Sequence, residues 1–153
     1  MLFRPDRSER LALIADQVNS AARGSVELVS AIASEISHGG TRISAQAFTH
    51  IEKLIAAGAW TDAALALIAN GLPQWKLRHL TYDDGEWHCA LSPQREFPEW
   101  LDDGIEAHHE NLSLALFRCL LEAAQLEPES PARPTVPRIR FSQPDAICCD
   151  NFA

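Results

Sequence analysis

Apolar residues in the first part of the chain fall at Leu11, Ile14, Val18, Ala21, Leu28, Val29, Ile32 and Ile36. That spacing predicts a helix over about 8–37, softened at Gly24 and stopped by His38-Gly39-Gly40. Ser8, with Glu9 and Arg10 behind it, has the composition of an N-terminal cap. Ser44 opens a second helical pattern, about 44–57, with Ala47, Phe48, Ile51, Leu54 and Ile55 on its buried side and Gly58 at its end. Thr61-Asp62 opens a third, about 61–70, closed by Asn70-Gly71 and Pro73. The short link Gly58–Thr61 makes these two helices neighbours. The stretch Ala63–Ala69 is apolar nearly all round, the pattern of a core helix.

At Trp75 the period changes from helical to alternating. Residues 75–92 read as strand, turn, strand, with Asp84-Gly85 as the type I′ turn signal. Those two loop residues set Asp83 opposite Glu86, Tyr82 opposite Trp87, Leu80 opposite Cys89 and Arg78 opposite Leu91. One face then carries Leu80, Tyr82, Trp87, Cys89 and Leu91, and the other carries His79, Thr81, His88 and Ala90. Trp75 and Leu77 break this parity, which predicts a bulge near Arg78-His79 or a twist that carries them into the same core.

Residues 92–105 read as loop or a short helix, punctuated by Pro93 and Pro98. A last helix is predicted over about 106–126, with Leu112, Leu116, Phe117, Leu120, Leu121 and Ala124 inward. Beyond it Pro128, Pro131, Pro134 and Pro137 recur every third residue, the repeat of polyproline II, with Arg133, Arg138 and Arg140 among and after them. Arg138–Phe141 could add a short strand. The predicted class is α+β: one domain over 1–127 with a helical N-terminal half, a central antiparallel hairpin and a C-terminal helix, then a proline-rich extended tail over 128–153.

Composition narrows the classes of function. With 153 residues, 46% hydrophobic and 22% charged, the chain is long enough for one domain with a real core. Its net charge is −8, and residues 76–127 hold eleven acidic against four basic side chains. Such a field repels phosphate backbones, so a nucleic-acid partner is disfavoured. The charged N-terminus is not patterned as a secretory signal, and the longest uncharged run, Ala63–Trp75, is too short to span a bilayer. Cys89, Cys119, Cys148 and Cys149 show no C-x-x-C spacing. A reducing, cytoplasmic setting without membrane association is therefore expected.

The segments Ala57–Ala64, Leu72–Leu77, Tyr82–Cys89 and Leu112–Leu116 resemble a group of small uncharacterised bacterial proteins, chiefly from soil alphaproteobacteria. That likeness covers roughly the middle half of the chain and implies no activity, cofactor or partner. More distantly, a hairpin ending in a Trp-bearing strand and followed by an Ala/Leu helix looks like small phage-type α–β–α sandwich domains, which bears on the fold alone.

Candidate chemistry is sparse. Asp102, Glu106 and His109 would share one face of a helix that started before Asp102, a set of metal-ligating types at offsets of four and three. A single Glu-x-x-His falls short of the two copies that di-iron bundles need, and a solvated acidic helix start accounts for the same residues. Cys89 and His88 point to opposite faces of one strand and so cannot act as nucleophile and base. Cys89 and Cys119 read instead as core thiols. The helical pair 44–57 and 61–70 has a helix-turn-helix outline, yet Ala63–Ala69 offers nothing to a base edge or a phosphate. The tail residues Pro128, Pro131, Pro134, Pro137, Arg138 and Arg140 match the P-x-x-P form that aromatic grooves bind, or a semi-rigid linker.

Taken together, the sequence points to a small non-catalytic protein with no cofactor, acting through a protein partner or as a homodimer, as an adaptor or regulator. Two alternatives stand behind it: a metal-dependent enzyme or binder using Glu106 and His109, and a nucleic-acid-binding regulator.

Overall fold

A computed structural model of the chain describes residues 5–39, 41–93 and 104–127. Among them are five helices, α1 (Arg7–Ser20), α2 (Val26–Ser37), α3 (Ala45–Ala56), α4 (Trp60–Gly71) and α5 (Leu112–Leu126). They accompany one antiparallel sheet in the order β1 (Trp75–Asp83), β2 (Glu86–Pro93), β3 (Ile105–His109). The class is α+β, as the change of period predicts.

The helix expected over 8–37 is two helices. Asp6, not Ser8, caps α1 through a capping box with Glu9, and Ser25 caps α2 by accepting from the Leu28 N–H at 3.3 Å. A continuous helix would swing the apolar stripe by about 80° between Val18 and Leu28, since ten residues are not a whole number of turns. Breaking the chain lets Leu11, Ile14 and Val18 enter the same core as Leu28, Val29, Ile32 and Ile36. The break is filled from outside: a Cβ on Gly24 would lie 3.0 Å from Cγ of Trp60, so the indole packs directly on that backbone. Arg10 Nε donates to Glu35 Oε1 at 2.9 Å and ties α1 to α2.

Ser44 caps α3 as expected, accepting from the Ala47 N–H at 3.2 Å. Gly58, at φ +71°, ends it with the Gly58 N–H bonded to the Ile55 carbonyl and the Ala59 N–H to that of Leu54. Helix α4 then begins at Trp60, one residue before the expected Thr61, behind an Ala59 N-cap whose side chain makes no cap bond. It buries Ala63, Ala64, Leu67 and Ile68, but Leu65 remains 39% exposed, so α4 is less enclosed than its composition suggests.

The fully enclosed helix is α5. Leu114–Phe117, Cys119–Leu121, Ala123 and Ala124 are all buried, and it packs on α1 and α4 on one side and on β2 and β3 on the other. Asn111 starts it: Oδ1 accepts from the Ser113 N–H at 3.0 Å, the Leu114 N–H at 3.4 Å and the Ser113 hydroxyl at 2.7 Å. At its far end Glu127 Oε1 accepts from Trp75 Nε1 at 2.8 Å, which joins the helix end to the start of the sheet.

In the hairpin Asp83 pairs with Glu86, Tyr82 with Trp87 and Leu80 with Cys89, and Asp84 and Gly85 have φ of +51° and +88°. The expected bulge lies at Arg78, between Leu77 and His79. It moves the partner of Leu91 from Arg78 to Leu77. Trp75 and Leu91 thereby reach the core together.

The last helix does not extend over 106–126. Its first part is β3, because Ile105 and Ala107 alternate with Glu106 and His108 and can bury one side only as a strand beside β2. Nor do the described helices form layers on both sides of the sheet. α5 covers one face, and among the described residues nothing covers the other, so the α–β–α sandwich likeness does not hold for this part of the chain.

Candidate functional site

The uncovered side of the sheet concentrates the polar chemistry. Strand alternation and the pairing register set the outward side chains in rows: Asp83 and Glu86, then Thr81, His88 and His108, then His79, Ala90 and Glu106. His108 Nδ1 lies 2.9 Å from Glu86 Oε2, a pair so exposed that it contributes under about 1 kcal/mol. The His88 and His108 rings lie 5.7 Å apart between centroids, and His79 Nε2 shares a 3.1 Å hydrogen bond with Thr81 Oγ1. Ala90 is small, and beside it a hollow of about 350 Å³ is lined by Arg78, His79, Ser92, Gly104 and Glu106. Ser92 is buried and its hydroxyl accepts from Arg78 Nε at 2.6 Å, while His79 bonds to Thr81. These residues are therefore not linked as nucleophile and base.

The outer edge of β1, which no strand among the described residues pairs with, is the second feature. Its first half bears Lys76, Arg78 and His79, and its last residue and the turn bear Asp83, Asp84 and then Glu86. Arg78 occupies the bulge, so His79–Asp83 is the longer regular stretch that presents a row of backbone donors and acceptors. Leu77 is 37% and Tyr82 61% exposed, although Tyr82 stacks obliquely on Trp87 at 5.1 Å. Of the aromatic pair at the hairpin tip, Trp87 is thus partly buried against the core and Tyr82 is not. The reason is that α5 lies under β2 and β3, and no helix among the described residues lies beneath the turn end of β1.

Of the residues singled out as metal ligands, Glu106 and His109 both lie on β3. Three positions apart on a strand they face opposite ways, Glu106 outward and His109 toward the side of Trp87, its paired residue. His109 Nδ1 accepts from the Asn111 N–H at 2.9 Å. The shared helical face that suggested them is not formed, because the segment is a strand. Asp102 lies outside the described residues, as do Pro128, Pro131, Pro134, Pro137, Arg138 and Arg140. Among the described residues no group of three or more His, Cys, Asp or Glu could hold a metal ion.

Cys89 and Cys119 lie together in the core, a contact the sequence did not suggest. Cys119 Sγ, on α5, is 3.5 Å from the Cys89 carbonyl and 3.5 Å from that of Ile105, so one thiol bridges the helix to two strands. The neighbouring Cys89 thiol and burial both push the Cys119 thiol up, while the Cys119 S–H favours ionisation of Cys89 first. Two buried thiols in contact cannot both carry charge. His108 and Glu86 were missed for a different reason: the alternation over Ile105–His108 is a short strand signal that the longer helical pattern behind it obscures.

No family model, characterised protein or solved structure matches the chain. No helix among the described residues is long and apolar enough to cross a membrane.

Proposed function

We propose that this chain is a small non-catalytic cytoplasmic protein that works by protein–protein contact, as an adaptor or regulator, and that it associates with a second copy of itself. The observation that carries this reading is the sheet, which among the described residues is covered on one face only and has no strand paired to the outer edge of β1, with Tyr82 exposed beside it. A hairpin edge of this length is a template for another strand. The proline-bearing segment 128–153 offers a second contact, to an aromatic groove on a partner. The acidic balance of the chain argues against a phosphate backbone as that partner.

Light scattering coupled to size exclusion, on the untagged full chain, tests the reading. A mass of two chains at micromolar concentration is expected. A strict monomer at high micromolar concentration overturns self-association.

A further inference from the structure

The geometry points to a specific joint: two copies pair through β1, antiparallel, about a two-fold axis at Thr81, to make one continuous sheet. This rests on the self-association proposed above and goes on to specify its register and chemistry.

Three constraints select the register. The bulge at Arg78 divides β1 into Trp75–Leu77 and the longer regular stretch His79–Asp83, so an interstrand ladder that does not cross the bulge has at most those five positions to use. Their side chains alternate, with His79, Thr81 and Asp83 outward beside Ala90, His88 and Glu86, and Leu80 and Tyr82 inward beside Cys89 and Trp87. A two-fold centred between residues would pair inward with outward positions, a one-residue slip that mismatches every pair. A two-fold centred on Thr81 uses all five positions and keeps faces matched. Thr81 meets Thr81 of the second copy, Leu80 meets its Tyr82, and His79 meets its Asp83.

The chemistry of those pairs is self-complementary. Leu80 is half-buried and Tyr82 largely exposed, so their contact removes the most exposed aromatic side chain of the hairpin from water. Imidazole faces carboxylate, and hydroxyl faces hydroxyl, both favourable cross-strand pairs. Charge acts along the whole ribbon. Lys76, Arg78 and His79 lie at one end of the strand and Asp83, Asp84 and Glu86 at the other. Antiparallel pairing brings the basic end of each copy to the acidic end of the other, whereas parallel pairing sets like against like. Helix α5 lies under β2 and β3, so among the described residues no helix stands beneath the turn end of β1 where the second copy would sit.

Disulfide trapping in the full chain tests this register, in a Cys148→Ser/Cys149→Ser background where the other two cysteines are buried. Thr81→Cys sets two thiols on the axis, within the Cα separation of about 4.4–6.8 Å that a disulfide spans, and forms a covalent dimer under mild oxidation. Lys76→Cys, off the ladder, stays a single chain on a denaturing gel. Independently, Asp83→Lys weakens dimerisation roughly tenfold, and adding His79→Asp restores it, because each copy then supplies the opposite charge. A dimer of unchanged affinity in Asp83→Lys, with no trapping at Thr81→Cys, overturns this register while leaving self-association standing. A monomeric wild-type chain overturns both.

Discussion

At the scale of single residues, the most demanding positions are those where an added atom has nowhere to go. A Cβ on Gly71 would collide with Cγ2 of Ile36, a branched methyl that cannot swing away, so Gly71→Ala should destabilise by about 1–3 kcal/mol despite a better helix former. Ile36→Leu removes that methyl and should recover part of the loss, read from urea midpoints. Gly85 differs: nothing lies within 4 Å of its Cβ position, and Gly85→Ala should cost only the roughly 1 kcal/mol of its positive φ. The Asp84-Gly85 turn was legible in the sequence because its chemistry is local. The contact of Gly71 with Ile36 was not, because nothing in either segment announces the other.

The cysteine pair makes a second prediction at this scale. Above pH 9.0, the ordinary thiol value, the unfolded chain loses both protons while the folded pair retains the one on Cys119. Native protein then binds more protons than unfolded protein, so the stability held by Cys119 is complete below that pH and falls as the medium becomes more alkaline, whereas the lowered Cys89 acts the other way and adds stability as pH rises toward 9.0. Cys119→Ala should flatten that slope in denaturant titrations between neutral and alkaline pH. A slope unchanged by the substitution would refute the assignment.

At the scale of elements, α5 depends on one cap. Asn111 satisfies two backbone N–H groups at the start of the most buried helix, and Asn111→Ala should cost about 1–2 kcal/mol, with Asn111→Asp close to wild type in thermal melts. The same place shows why β3 escaped a sequence reading. Five residues of alternation sit directly before fifteen of strong helical period, and only the pairing of Leu91 with Ile105 and of Cys89 with Ala107 decides where one ends. The α1–α2 break escaped for a related reason. Gly24 marks a weak point, but the Trp60 indole that occupies it arrives from another part of the chain.

At the scale of the molecule, α5 joins the helical half to the sheet, so the two should unfold as one. Helical circular dichroism and tryptophan fluorescence are expected to give coincident transitions. Phe117→Ala, at a fully buried position of α5, should lower both midpoints together, by about 3–5 kcal/mol. Separate transitions would mean that the sheet stands apart from the helices.

The sequence alone determined what short-range physics controls: the α+β class, the caps at Ser44 and the stop at Gly58, the hairpin turn, its register near the tip and the bulge that restores parity at Trp75. These follow from backbone sterics and from periods of 3.6 and 2, which need no knowledge of distant residues. Tertiary structure decided the rest. It made α5 rather than α4 the enclosed helix, recruited Ile105–His109 into the sheet, brought Cys89 against Cys119, and left one face and the outer edge of β1 without a partner among the described residues. Each of these turns on which surfaces meet, and burial is shared between segments far apart in the chain, so no one segment's pattern contains it.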